Sequence, residues 1–489
     1  MTHTSTRRLR VATAYLALSA SALILQTVEF MLVAIQKDFS LTAGATAALT
    51  QLAAGAALLV VFVAGTLLDR FGERRVLGGA SLAFCCGALV VALAPGYGFL
   101  LAGLGIAGVG YTVMTVSGIA ILKEAIPDVR GRALAFGAFA VIAPVVSILS
   151  PVVTALVVPA LGWRFVPALW VLVGATTVAL VLKTPAAQSE APPRREMVTP
   201  WLAGLALAAF ALMASSLVTD PWLATILFAI TLVALAVLVA LMRRMQHPTL
   251  DLRVLRKRGS VPLIAAMIVV SGVNLFLFTF MLLMYRYDLT LLDTALLLIV
   301  PQAAAAVGAL LGGRVSARAG SLPTALGAVL LAAVASLGVL FINGDSPSWV
   351  PVAALTVAAI PIAGAVGPLT QSLMDLAPAD GSGAASSLRN ASWNLGGAIG
   401  GLISAAIVLT ALEAQPGSAT QTAPIAHHWA RTLATAHSTT ESETLHEMQA
   451  AAFNQAGLMC SAAYLVAAIL LGVAISRRRS VHEHQAALT

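Results

Sequence analysis

Fourteen separate runs of this chain are apolar for long enough to cross about 30 Å of hydrocarbon as a helix, and that count constrains the fold more than any other feature. The runs fall at 11–36, 45–68, 76–95, 98–122, 133–158, 164–182, 199–218, 221–242, 261–285, 291–312, 322–342, 349–374, 388–411 and 453–475. Lipid offers an exposed backbone no hydrogen-bond partner, so each run is expected to be helical, and strand-like alternation is missing. Composition agrees: 59% of the 489 residues are hydrophobic and only 10% charged, too few polar side chains to cover a water-soluble globule. The first run follows MTHTSTRRLR, lacks a small-residue cleavage pattern and is too long for a signal-peptide core, so it is expected to stay as a span. Cys85, Cys86 and Cys460 all fall in apolar runs and read as small buried hydrophobes without a disulfide.

Basic residues test the count, because Lys and Arg concentrate on the cytoplasmic side of bacterial membrane proteins. With the N-terminus inside, only Lys37, Arg164, Arg286 and Arg431 of the 28 Lys and Arg are expected outside, and Arg389 is placed on the inner side with the rest. This predicts an even number of spans and two cytoplasmic termini. The Ala-rich, Lys-poor composition points to the inner membrane of a bacterium. The net charge of +8 is then an orientation signal, with contact to anionic membrane lipids as a secondary effect and no nucleic-acid partner implied.

Two charged linkers, 183–200 and 243–260, divide the chain. Residues 1–182 make a six-helix bundle, 183–260 the linkers with two inserted helices, and 261–489 a second six-helix bundle with an outer loop at 412–452. Equal halves suggest a duplication, which in transporters puts the substrate site between the halves near the midplane. GTLLDRFGERRVL after the second span has a degraded echo, GGRVSARAG (312–320), after the tenth. The inserted pair carries no internal charge and is expected to pack peripherally.

Among the 20 acids, Glu29 alone lies clearly within a span. Ser19, Ala22, Gln26, Glu29 and Gln36 recur at helical spacing, so one stripe of the first helix is small and polar. A carboxylate in the bilayer costs about 2.5–3.5 kcal/mol, so Glu29 should face protein or a water-filled cavity. A carboxyl out of water takes up a proton more readily and a hydrated one releases it, which makes Glu29 the candidate proton carrier. A hydrogen-bonded structural role and a purely substrate-binding role are the alternatives. Candidate substrate contacts are Gln26, Tyr111, Thr115, Asn274, Gln302, Gln371, Asn390, Trp393 and Asn394, for each of which interhelical hydrogen bonding is the competing role. One internal acid and no internal Arg or Lys favour a lipophilic molecule, cations included, over a sugar or phosphate.

Pro151 removes a hydrogen bond from the fifth span and is expected to kink it. The outer loop carries His427, His428, His437 and His446 near Glu443 and Glu447; their spacing reads as a solvated cap, with metal binding and pH sensing as alternatives. No phosphate loop, zinc-protease motif or nucleophile elbow is present, so no enzyme activity and no cofactor are expected.

GTLLDRFGERRVL resembles the signature of the major facilitator superfamily between spans two and three: Gly65, Leu67, Asp69, Arg70, Gly72, Arg74 and Leu77 match, and Glu73 stands where a basic residue is usual. Fourteen spans, with HPTLDLRVLRKR before the ninth, resemble its drug:proton antiporter branch. The resemblance implies the major facilitator fold and multidrug efflux by alternating access, driven by protons. Export of a lipid or endogenous metabolite and uncoupled diffusion are the alternatives within transport; a membrane-embedded enzyme and a transporter-like receptor are remote ones. A monomer is expected. It also implies a cytoplasmic latch of Gly65, Asp69, Arg70, Gly72 and Arg74, in which Asp69 meets the helix starting near Gly383 to Leu388. Arg70 and Arg74 could pair with Glu124 or Asp128. The fourth span, LAGLGIAGVGYTVM, lacks the arginine common in proton-coupled members.

Overall fold

The computed structural model describes residues 3–184, 196–217, 220–245, 253–273, 275–287, 289–343, 345–378, 381–413 and 439–486. Among these every regular element is a helix. The first six spans comprise α1 (His3–Asp38), α2 (Ala43–Leu59), α3 (Val61–Phe71), α4 (Glu73–Ala92), α5 (Tyr97–Ala125), α6 (Val129–Leu161) and α7 (Pro167–Lys183). The inserted pair is α8 (Val198–Ser216) and α9 (Pro221–Arg244). After a short α10 (Arg253–Arg256) come α11 (Ser260–Gly272), α12 (Leu275–Arg286), α13 (Leu291–Leu297), α14 (Ile299–Ala319), α15 (Ser321–Ser336), α16 (Trp349–Met374), α17 (Ser382–Glu413) and α18 (Thr439–Ala486). Eleven helices are individually long and apolar enough to span a membrane among the described residues. The segments α2–α3, α11–α12 and α17 occupy the three other apolar runs, so each of the fourteen runs is mainly helical over its described residues. The chain is a multi-pass helical membrane protein.

Small residues set the closest helix contacts, as expected where lipid removes the hydrophobic drive between helices. Gly87 and Gly110 on α4 and α5 lie against the backbones of Ala107 and Phe84. Three spans are broken. The second turns at Val60, between α2 and α3, the ninth at Val273, which is extended (ψ 114°), and the tenth at Leu298, between α13 and α14. By contrast α6 runs on through Pro144, Pro151 and Pro159, so Pro151 does not interrupt its helix.

The sequence echo is repeated in the backbone. Helix α3 ends at Gly72 (φ 77°) and α14 at Gly320 (φ 90°), each also the residue that starts the next helix, in a conformation L-residues avoid. With these glycines in register, Gly65 falls on Gly313 and Asp69 on Ala317. Gly65 lies against Gly383, and Gly313 against Gly137. Two equivalent close approaches thus join the first six spans to the last six, and only one carries a carboxylate.

The inserted pair is in contact with both sets of six spans. Helix α8 packs on α2, α3 and α17 together, so it touches spans from both ends of the chain. A Cβ at Gly204 of α8 would overlap the carbonyl of Leu59, one residue before the break in the second span. Helix α9 covers α8 and turns Leu232, Val233 and Val239 outward, as lipid-facing residues do.

Asn274, the linker residues 185–195 and 246–252, and His427, His428 and His437 of the outer loop lie outside the described residues. So do the side chains of Glu29, Glu443, His446 and Glu447, whose backbones are helical.

Candidate functional site

One end of the bundle carries Arg10, Arg74, Arg75, Lys123 and Arg132, and there the first six spans close on the last six. Asp69 Oδ1 accepts the N–H of Gly383 (2.9 Å) and Oδ2 that of Ala384 (3.1 Å). These first-turn N–H groups of α17 have no partner within the helix, and the helix dipole favours an anion beside them. The approach needs glycine on both sides: a Cβ at Gly383 would come within 2.5 Å of the Gly65 carbonyl and 2.6 Å of Asp69 Oδ1. Lys123 Nζ donates to the carbonyls of Ala377 and Pro378 (both 3.1 Å), just past α16. The turn from α16 to α17 is therefore held by a cation where one helix ends and an anion where the next begins.

Further contacts complete the closure. Ser386 donates to Val116 O (2.6 Å), Ser387 to Val61 O (2.7 Å) and Ser382 to Glu124. Arg132 pairs with Asp375 (3.0 Å), whose carboxyl is raised above its usual value by burial against the opposing pull of Arg132. Gln371 accepts from Ser316 (2.9 Å) and donates to Val129 O (3.2 Å), so this expected substrate contact is a buried cross-link at the basic end.

The expected partners of the signature arginines are corrected. Arg74 donates to Leu182 O (3.3 Å), and Arg70 stacks on the ring of Phe71 (4.9 Å). Glu124 is taken by Arg10 (3.5 Å) and Ser382, while Asp128 caps its own helix at Gly131 N (2.7 Å). Glu73, the departure from the usual signature, binds Arg10 at 2.7 Å and ties α1 to the first turn of α4.

Arg389 overturns the expectation that no basic residue lies inside. It is 5% exposed and seven residues into α17, about 10 Å along the axis from the basic end. Its Nε donates to Thr370 Oγ1 (3.2 Å), and its guanidinium lies over the rings of Phe139 (5.2 Å) and Trp393 (4.9 Å). A single Arg in a long apolar run preceded by SGAASS reads as the end of a loop; only the start of α17 at Ser382 puts it inside.

The remaining candidates are spread along the bundle. Tyr111 and Thr115 are buried on α5, where Thr115 donates to Tyr111 O (2.8 Å). Asn394 donates to Asn390 O within α17 (2.8 Å), and Gln302 is half-buried on α14. On α1, Ala17, Ile24, Met31 and Ile35 are buried against the first bundle, and Thr27 accepts from the indole of Trp170 (2.9 Å). Gln26 is half-buried on the other side, and position 29 is the next on its stripe. Counted from Arg10 at one end and Asp38 at the other, Glu29 is about 7 Å beyond the midpoint of the span, away from the basic end. At that far end Asp38 accepts from Trp163 Nε1 (3.1 Å) and Arg164 (2.6 Å), which together hold its carboxyl below the usual value.

Fourteen helical segments, a signature turn locked across two sets of six spans, and polar groups buried between those sets define a membrane transporter rather than an enzyme. A family model described as Major Facilitator Superfamily matches residues 14–401, and the chain belongs to that superfamily. It is 30% identical over 356 residues to the methylenomycin A resistance protein of Streptomyces coelicolor, covering 70% of this chain and 73% of that one. It is 26% identical over 367 residues to the multidrug resistance protein Stp of Mycobacterium tuberculosis, covering 73% and 68%. Two solved structures share the fold at a TM-score of 0.61: the human organic anion transporter MFSD10, with 15% identity, 96% of this chain and 100% of that one covered, and the proton:xylose symporter XylE, with 13% identity, 94% and 95% covered. At those identities the likeness is one of fold alone.

Proposed function

We propose that this protein exports lipophilic small molecules by alternating access, with protons moving inward through Glu29. The observation that carries this reading is the double grip on the α16–α17 turn by Asp69 and Lys123, a closure built from contacts that can release together. Likeness to a methylenomycin A resistance protein and to a multidrug resistance protein supports export as the direction. The basic end faces the cytoplasm of a bacterial cell, as the Lys and Arg bias implies, and the closed form described is the one that faces out. Residues 1–182 and 261–489 act as the two rocking halves. Asp69, with Gly65, Arg70, Gly72 and Arg74 around it, latches them, and a monomer in contact with anionic lipid suffices.

Proton and substrate compete for Glu29, the acid within a span, while Gln26 on the same stripe and Tyr111, Asn390, Trp393 and Asn394 line the path. The deciding experiment is substrate-evoked proton release from purified protein, wild type against Glu29→Gln, over a panel of lipophilic cations and neutral drugs. Release by the wild type that disappears in Glu29→Gln is the expected result. Binding without release in both proteins rejects coupling at Glu29 and leaves an uncoupled exporter.

A further inference from the structure

The closure of the basic end leaves one buried charge without a task. Among the described residues the only hydrogen bond of Arg389 is the one from Nε to Thr370, and no carboxylate is within ion-pair distance. An unpaired guanidinium in a membrane span is costly, and such a residue marks a binding function more often than a structural one. Its surroundings are organised. Phe139 on α6 and Trp393 on α17 present ring faces at 5.2 and 4.9 Å, which favour the cation and fix the plane of the fork. Thr370 on α16 takes the Nε edge, so the hydrogen-bonding capacity of the two terminal NH2 groups remains, in the geometry that suits a carboxylate held by two parallel bonds.

The placement fits a substrate site. Phe139 belongs to the first six spans and the other three residues to the last six, so the group sits across the seam between them. Ser386, one turn nearer the basic end on α17, donates to Val116 O and is part of the closed layer. Arg389 therefore lies directly behind the gate, on the side away from the basic end, with two aromatic surfaces beside it.

The geometry points to Arg389 as the group that binds the carboxylate of a lipophilic organic acid, with the apolar body of that acid against Phe139 and Trp393. This names one substrate class of the exporter proposed above and rests on that reading. The acid is held at Arg389 and not at Glu29, so it stands beside the cations and neutral drugs that compete with the proton there and does not itself compete with it.

The test is equilibrium binding of 2-naphthoate and its uncharged methyl ester to protein in phosphatidylcholine nanodiscs. Wild type should bind the acid at least tenfold more tightly than the ester. That preference should fall to near unity in Arg389→Gln and survive in part in Arg389→Lys. Equal affinities in the wild type, or no binding of the acid at millimolar concentration, overturn the proposal without recourse to a variant. Doping the discs with phosphatidylglycerol separates sources of the anion: displacement of the acid by that lipid assigns Arg389 to a headgroup and rejects the substrate reading. Export of an uncharged dye by the same protein in vesicles keeps the two readings apart. Dye export without acid preference rejects the Arg389 site alone, and acid preference without any export rejects the exporter alone.

Discussion

Asp69 and Gly383 stand 314 residues apart in the chain, and the carboxylate of one accepts the backbone N–H of the other at 2.9 Å. Because the second oxygen takes Ala384 N–H at 3.1 Å, both lone-pair sides of a single side chain hold the first turn of α17. Asp69→Asn keeps the shape but loses the charge and one acceptor. Transport in that variant should fall at least tenfold, with membrane insertion unchanged, because a charge-assisted hydrogen bond is about twice as strong as a neutral one. Normal turnover with normal expression would show that the contact is not a latch.

Gly65→Val tests the same closure by sterics alone. Any Cβ there overlaps Gly383 O and Ser387 Oγ, so the two sets of spans must separate at the basic end. Spin labels at the exposed positions Arg75 and Arg318, in protein with the exposed Cys86 replaced, should show a shift to longer separations. An unchanged distance distribution would place the seam elsewhere.

The bridging position of α8 predicts that Gly204→Leu is damaging although it lies in a helix outside both sets of six. Its side chain must push α8 away from the Leu59 carbonyl, an overpacking that costs about 1–3 kcal/mol. Scanning fluorimetry should register a lower melting temperature. Unaltered melting would mean that α8 moves aside freely and has no structural hold on the second span.

The far-end clasp should respond to acid. Asp38 is held below its usual value by Arg164 and Trp163, so its contribution is present above the unfolded value near 3.8 and is lost as pH falls through the lower folded one. The pair is partly exposed, so Asp38→Asn should cost only about 0.5 kcal/mol at pH 7. The difference in melting temperature between wild type and variant should begin to close below pH 3.8 and be gone once pH has fallen through the folded value. A difference that survives when the carboxyl is protonated in both states would assign the effect to packing instead.

The span count, the signature turn and the acid in the first helix were all legible without a structure, because each follows from a local rule. Twenty apolar residues must become a helix in lipid, and a glycine ending a helix at positive φ recurs at Gly72 and Gly320 because no other residue adopts that turn freely. Position 29 falls on the polar stripe of α1 by periodicity. Apart from the helix that meets Asp69, which the family signature implied, what the sequence left open was the partners. Arg10 finds Glu73, Lys123 finds Ala377 and Pro378, Gln371 finds Val129, and Arg389 lies between Phe139 and Trp393. Membrane helices are specified individually by hydropathy, but their neighbours are chosen by small-residue packing and by polar groups seeking satisfaction across hundreds of residues. Whether an arginine near a span boundary belongs to the loop or to the interior therefore turned on where α17 begins and what packs against it, and only the tertiary structure decides that.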